Sequence, residues 1–289
     1  MEKRIPLLGA TLLALFASAC GGSSGDPMGD AGNGDGDGGN GNDDGGGGSD
    51  GEGCGEAASI ALGSWVEQSV AVAGEGDRAY FVRLPTGYDP DREYPVVYQL
   101  HGCSSNPDRE SNNVPVENQT GTDAIHVRGR AADNCWDNTT DLPYFDAMVD
   151  DVEASFCTDT DRRMLTGYSS GAFFAHRIAC VRGDQFLGVA TIAGGSPGSN
   201  CVGEVAVLQI HDTNDNTVLI GNSGYPTRDF WVSANGCDDT TTDTDPEPCV
   251  AYDGCNVGTP VVWCETSQQD HSRQDSFAAP IFWDFLSSL

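Results

Sequence analysis

Lysine is almost missing from this sequence. The single lysine is Lys3, and the 14 basic residues are outnumbered by 44 acidic ones, which gives a formal net charge of −30. Nucleic acids and anionic lipid headgroups are also negative, so a surface of this charge repels both. The composition therefore argues against a nucleic-acid partner.

Long apolar runs are missing too, apart from one near the N-terminus. The segment Ile5–Ala19 follows a basic start and is about 15 residues long, whereas a transmembrane helix needs about 20 apolar residues. We therefore expect a secretory signal peptide over residues 1–19. Its end resembles a bacterial lipobox, which implies that Cys20 is lipidated and anchors the protein to the bacterial membrane. Plain cleavage after Ala19 is the alternative and would release a soluble secreted protein.

Apolar and basic side chains are scarce between Cys20 and Cys54. Residues 21–53 contain sixteen glycines and eight acidic residues, with no basic residue. Such a segment cannot bury enough apolar surface to offset its ordering entropy. We expect a disordered Gly/Asp tether over residues 20–53, followed by one domain over residues 54–289. A calcium-binding loop is the alternative, but no window has the EF-hand spacing.

Cysteine, by contrast, is abundant in the domain. Ten cysteines follow Cys20, and an even number in an exported chain predicts a disulfide framework. Their scattered spacing argues against a zinc site, which would need paired C-x2-C units. Nearness in the chain suggests the pairs Cys180–Cys201 and Cys249–Cys255. We expect no metal and no organic cofactor.

The domain sequence predicts strands that alternate with helices. Apolar or alternating runs predict strands at Ala79–Leu84, Val96–Leu100, Ala124–Val127, Arg163–Thr166, Val189–Ala193, Val205–Ile210 and Val261–Cys264. Apolar residues at steps of three and four predict helices at Leu142–Phe156, Ala172–Cys180 and Phe277–Leu289, with Pro280 in the first turn of the last. This alternation predicts an α/β fold with a mostly parallel central sheet and helices on both faces.

The stretch "TGYSSGAFF" places Ser169 between two glycines, after a predicted strand and before a predicted helix. In that context G-x-S-x-G predicts a nucleophile elbow, in which a strained turn exposes the serine hydroxyl. A Gly- and Ser-rich turn without chemistry is the alternative. The strand and helix on either side favour the elbow.

A serine hydroxyl becomes a good nucleophile when a histidine takes its proton and a carboxylate orients that histidine. His126 has no supporting signal, and His176 lies on the helix after the elbow, where it would point away from the serine or into packing. His101 and His211 each end a strand, where a His-Gly pair such as that at His101 shapes the oxyanion loop and is not the base. His271 lies in the loop before the last helix, where the Ser–acid–His order of α/β-hydrolases expects the base. For the acid, the residues alone leave both Asp212 and Asp215 open.

Four ordered motifs resemble the secreted esterases that include feruloyl esterases and polyhydroxybutyrate depolymerases, carbohydrate esterase family 1. They are "YQLHG", "DRRMLTGYSSG", "HDTND" and a final histidine followed by "FWDF". The resemblance implies a disulfide-rich α/β-hydrolase in which Ser169 is the nucleophile, Asp215 the acid and His271 the base. The backbone N–H groups of Cys103 and Ser170 would stabilise the oxyanion. The family glycine after the motif histidine is Asp212 here, which makes Asp212 the lesser candidate.

The Cys-rich segment before "PVVWCE" is similar to the feruloyl esterase branch, although "SRQDSFA" after His271 lacks the proline of that branch. Trp136 resembles a loop tryptophan that borders the acyl pocket, and a packing tryptophan is the alternative. The expected substrate is an ester-bearing polysaccharide, and the expected activity is release of hydroxycinnamates from plant cell walls. The alternatives are a polyhydroxybutyrate depolymerase acting on polyester, an acetylxylan esterase, or a non-catalytic surface-binding lipoprotein.

Overall fold

The computed structural model describes residues 52–104, 106 and 108–289. The predicted signal peptide, Cys20 and the tether as far as residue 51 lie outside the described residues. Gly53, assigned above to the tether, already donates a backbone hydrogen bond to Glu153 O at 3.0 Å. Gly53 therefore contacts helix α1 (Leu142–Ser155) of the domain, one residue before the predicted boundary.

The described residues form one ten-stranded sheet with the strand order β1-β2-β4-β3-β5-β6-β7-β10-β9-β8. Four helices connect or follow the strands. In chain order the elements are β1 (Val66–Val72), β2 (Gly76–Arg83), β3 (Tyr94–Leu100), β4 (Ile125–Gly129), α1 (Leu142–Ser155), β5 (Thr158–Tyr168), α2 (Ser170–Val181), β6 (Gly188–Ile192), β7 (Ala206–Asp212), α3 (Gly224–Ala234), β8 (Thr241–Asp243), β9 (Cys249–Tyr252), β10 (Val261–Thr266) and α4 (Asp275–Ser287).

The centre of the sheet is parallel, as the sequence predicts. Strands β4, β3, β5, β6, β7 and β10 pair in parallel, and antiparallel strands extend both edges. Every residue of β3, β6 and β7 is buried, which explains why the sequences of these strands are mostly apolar. The carboxyl ends of the parallel strands meet at one edge, where ligand sites of such sheets lie.

Two apolar layers cover the sheet. On one face Phe145 of α1, Phe174 of α2 and Trp231 of α3 belong to one cluster. On the other face the buried residues of α4, among them Phe282 and Leu286, pack with Met164 and Leu208 of the sheet. The predicted arrangement of helices on both faces is thus confirmed.

The structure corrects the predicted position of Pro280. Helix α4 begins at Asp275, so Pro280 lies inside the helix and not in its first turn. A proline there removes one i→i−4 hydrogen bond, a loss that the buried residues on either side of it offset through packing. In addition, β5 is much longer than the predicted strand, and β1, β8, β9 and the bounds of α3 were not predicted.

Five disulfide bonds pair the ten cysteines. The predicted pair Cys180–Cys201 is present, whereas the predicted pair Cys249–Cys255 is wrong. Cys249 and Cys264 are direct partners in the antiparallel β9–β10 pairing, so their side chains lie on the same face of the sheet. The complete set is Cys54–Cys157, Cys103–Cys135, Cys180–Cys201, Cys237–Cys255 and Cys249–Cys264.

Among the described residues, no helix is both long enough and apolar enough to cross a bilayer.

All ten of these cysteines should resist alkylation in the native protein, because none of them carries a free thiol. Iodoacetamide is expected to label none of them before reduction and all of them after reduction and unfolding, as measured by peptide mass spectrometry. Reduction should also lower Tm, since each bridge contributes roughly 2–4 kcal/mol. Rapid labelling of any one of the ten in the oxidised protein would contradict the pairing.

Candidate active site

Ser169 lies in the turn between β5 and α2, as the G-x-S-x-G motif predicts. Its backbone has φ 52° and ψ −117°, a conformation that L-residues avoid and that marks a strained turn. Gly171 permits the turn, because a Cβ at that position would collide with the backbone carbonyl of Leu100. The Ser169 N–H donates to Ile192 O at 3.0 Å, which ties the turn to β6.

His271 reaches Ser169 from the loop between β10 and α4. Its Nε2 lies 2.9 Å from Ser169 Oγ, and its Nδ1 lies 2.7 Å from Asp215 Oδ2. A carboxylate only accepts hydrogen bonds, so Nδ1 carries the proton and Nε2 is left to accept from the serine hydroxyl. The Tyr168 hydroxyl donates to the carbonyl oxygen of His271 at 3.1 Å and holds the loop over the turn.

The structure separates the two candidate acids by their partners. Asp215 Oδ1 accepts the N–H groups of Thr217 and Val218 at 2.9 and 2.7 Å, which leaves Oδ2 for His271. Asp212 points elsewhere: its Oδ2 accepts Thr266 Oγ1 and the Gln269 N–H, both at 3.0 Å. Asp215 thus contacts the histidine ring, and Asp212 braces the loop that carries the histidine.

The other four histidines are buried and have structural partners. His101 accepts the Ala131 N–H, His126 accepts Gln99 Nε2, and His176 accepts Trp231 Nε1. Burial lowers the pKa of His101 to about 4 and that of His126 and His176 to about 3, so these rings are neutral.

His211 is the nearest of the four to the candidate acid. Its Nε2 lies 3.8 Å from Asp215 Oδ2 and donates instead to Val218 O at 2.8 Å. Burial also lowers the pKa of His211. As the sequence suggests, it is His271 that meets the serine.

The two predicted oxyanion donors lie at the same edge of the sheet. Ser170 is the first residue of α2, where helical N–H groups have no partner within the helix. Cys103 follows β3 and is exposed, and within the described part of the chain its N–H meets no hydrogen-bond acceptor. Both amides are therefore open to an external acceptor.

Trp136 lies beside the site, but its side chain is buried in the core. The residue is 7% exposed, its ring stacks on Phe174 at 4.8 Å between centroids, and its Nε1 donates to His101 O at 3.1 Å. The packing alternative accounts for these contacts, because an indole is buried where its N–H finds a partner. The predicted role of Trp136 as a wall of the acyl pocket is not supported.

Sequence reasoning did not identify Tyr168, Thr266 and Gln269, all of which hold the His271 loop. Nothing in their sequence context signals this, because each acts through a contact between distant segments.

Among the described residues, no group of three or more His, Cys, Asp or Glu side chains is arranged so that it could hold a metal ion.

The fold and this site define a serine carboxylic ester hydrolase of the α/β-hydrolase class. Sequence comparison then identifies the family, although no family model matches the chain. Feruloyl esterase C of Emericella nidulans is 30% identical over 212 residues, which cover 64% of this chain and 78% of that protein. Feruloyl esterase D of Neurospora crassa is 28% identical, covering 81% of this chain and 89% of that protein. The chain belongs to the feruloyl esterase family.

Solved structures agree on the fold. A carbohydrate esterase family 1 ferulic acid esterase from Anaeromyces mucronatus matches with a TM-score of 0.54 and 18% identity, covering 82% of this chain and 94% of that one. An acetyl xylan esterase from Aspergillus awamori matches with a TM-score of 0.59 and 13% identity, covering 78% and 100%. At these identities the likeness establishes the α/β-hydrolase fold only.

Proposed function

We propose that this protein is an exported feruloyl esterase that releases hydroxycinnamic acids from plant cell-wall polysaccharide. The observation that carries the proposal is the chain of contacts from Ser169 through His271 to Asp215, with distances of 2.9 and 2.7 Å, in a member of this family. A non-catalytic binding protein would have no need of this geometry.

In the proposed reaction Ser169 Oγ attacks the ester carbonyl carbon while His271 Nε2 takes the hydroxyl proton. Asp215 keeps the Nδ1 proton in place and stabilises the imidazolium as it forms. The carbonyl oxygen becomes an oxyanion, which accepts hydrogen bonds from the N–H groups of Ser170 and Cys103. His271 then protonates the sugar alkoxy oxygen as its bond to the carbonyl carbon breaks, so the sugar leaves with a free hydroxyl. A water molecule next attacks the acyl-enzyme while His271 takes its proton, and His271 returns that proton to Ser169 Oγ as the hydroxycinnamic acid leaves.

Oxyanion stabilisation supplies a large share of the rate enhancement in such sites. Losing one donor costs roughly 2.7–4 kcal/mol, or about 10²–10³ in kcat. The open amides of Ser170 and Cys103 fit this role because one lies at the start of α2 and the other in the loop that follows β3. No side-chain chemistry of Cys103 is involved.

Asp215→Asn is expected to lower kcat by on the order of 10⁴, because an amide favours the wrong histidine tautomer. Asp212→Asn is the matched control: it changes the same functional group three residues away, and its effect should be at least tenfold smaller. Ser169→Ala provides the background rate. The measurement is kcat on p-nitrophenyl acetate, with circular dichroism to verify folding. A larger loss in Asp212→Asn would reverse the assignment of the acid.

Methyl ferulate should be hydrolysed with a higher kcat/KM than a hydroxybutyrate trimer, as expected for a feruloyl esterase. Acetylated xylan serves as the third substrate and p-nitrophenyl acetate as the reference for general esterase activity. A preference for the trimer would identify a polyester depolymerase. A preference for acetylated xylan would identify an acetylxylan esterase.

We further propose that residues 1–19 are cleaved, that Cys20 is lipidated and that residues 20–53 tether the esterase domain to the cell envelope. The lipobox-like end of the apolar segment and its Gly/Asp-rich continuation support this. In a bacterial host that processes lipoproteins, the wild-type protein should incorporate labelled palmitate and partition into detergent. Cys20→Ala should do neither. Equal partition of both proteins into water would reject the anchor.

A further inference from the structure

The two proposed oxyanion donors belong to separate parts of the chain. Cys103 lies after β3, and Ser170 begins α2, 67 residues later in the printed sequence. Both amides must lie about 2.7–3.1 Å from the same oxygen atom to stabilise it together. Some part of the structure must therefore fix their separation.

Residues 134–136, which we name the bridging segment, contact the surroundings of both donors. Cys135 forms a disulfide bond with Cys103, and Asn134 O accepts the Ser104 N–H at 2.8 Å. At its other end the Trp136 N–H donates to Ser170 Oγ at 2.8 Å. Three consecutive residues thus connect the Cys103 loop directly to the first residue of α2.

The bridging segment is itself held firmly. The Trp136 ring is stacked on Phe174 of α2 with an interplanar angle of 14°. Just beyond the segment, the Asp137 N–H donates to Asp141 Oδ2 at 2.8 Å. Asp141 is 2% exposed and forms an ion pair with Arg78 at 2.7 Å. Because the bridging segment is packed and hydrogen-bonded in this way, it can hold the Cys103 loop and the start of α2 in fixed positions.

Without the disulfide, the exposed Cys103 would be held only by hydrogen bonds, among them the Ser104 N–H bond to Asn134 O described above. The Gly102 N–H donates to Asn112 O at 3.0 Å, and Asn112 Nδ2 approaches Cys103 O at 3.4 Å, near the limit of a hydrogen bond. The covalent bond to Cys135 is the strongest local constraint on this amide.

We infer that the Cys103–Cys135 disulfide and the bridging segment are positioning elements for the oxyanion site. They set the distance between the Cys103 and Ser170 amides and do not touch the substrate. This inference rests on the proposed ester hydrolysis, but it does not depend on which acyl group is preferred. Breaking the connection should slow the acylation step and leave the Ser169–His271–Asp215 contacts intact.

The test is the double variant C103A/C135A, with C180A/C201A as the matched control. The control also removes one disulfide bond. The two bonds close chain segments of similar length, with sequence separations of 32 for Cys103–Cys135 and 21 for Cys180–Cys201, so the losses in Tm should be similar. Its bridge begins at the far end of α2. Active enzyme is counted by titration with diethyl p-nitrophenyl phosphate, which reacts once per active serine.

Per titrated serine, C103A/C135A should lose about 10- to 100-fold in kcat on p-nitrophenyl acetate, in the range expected for a displaced oxyanion donor. KM and the pH dependence of kcat should stay unchanged, because the histidine and its carboxylate are not altered. The control should keep its full kcat. An equal loss of kcat in both double variants, or no loss in either, would overturn the inference.

Ser170→Ala provides an independent variant if the double variant does not fold. It removes the Oγ that accepts the Trp136 N–H but keeps the Ser170 amide, so kcat should fall several-fold at constant KM. An unchanged kcat would contradict the role of the segment. Wild-type activity on p-nitrophenyl acetate without activity on methyl ferulate would reject only the proposed substrate class.

Discussion

The close approach of α2 to β3 is the constraint on which the whole site depends. Gly171 lies against the carbonyl of Leu100, and no larger residue fits there without moving one of the two elements. This contact places the start of the helix beside the end of β3, so Ser169, the Ser170 amide and the Cys103 loop meet at one point. The positive φ of Ser169 is the local consequence, and the hydrogen bond to Ile192 O stabilises it.

The His271 loop is held in an unfavourable conformation by bonds that it makes with the sheet. Gln268, Asp270 and Gln274 all have positive φ, at 62°, 53° and 47°, and such residues cost roughly 1–3 kcal/mol each. Asp212 compensates by accepting Thr266 Oγ1 and the Gln269 N–H, and Gln274 Nε2 donates to Thr266 Oγ1 at 2.9 Å. Asp212 thus has a structural reason to be an aspartate, even though it does not touch the histidine.

The sequence predicts the central strands and the serine turn well because their signals are local. Buried parallel strands are mostly apolar, and an elbow needs glycines at fixed spacing. β1 lies at the edge of the sheet and lacks the apolar signal of a buried strand. Its residues alternate between exposed positions, which include Glu67 and Ser69, and positions that are only partly buried. The choice between Asp212 and Asp215, the partner of Cys249 and the packing of Trp136 depend on contacts between distant segments. Periodicity contains no information about such contacts, so only the family resemblance favoured Asp215.

The shortage of cations also shapes the architecture around the site. Several arginines form ion pairs that are largely removed from water: Arg78 with Asp141, Arg128 with Glu117 and Arg130 with Glu110, at 2.7–2.8 Å. Guanidinium suits such positions because it is weakly hydrated and makes several directed hydrogen bonds. Arg78 also donates to Arg130 O at 2.9 Å and stacks over the Tyr144 ring, so one cation fixes the strand end from which the bridging segment departs. In a chain with so few positive charges, these three arginines are therefore used to hold the segments around the oxyanion site and contribute little charge to the outer surface.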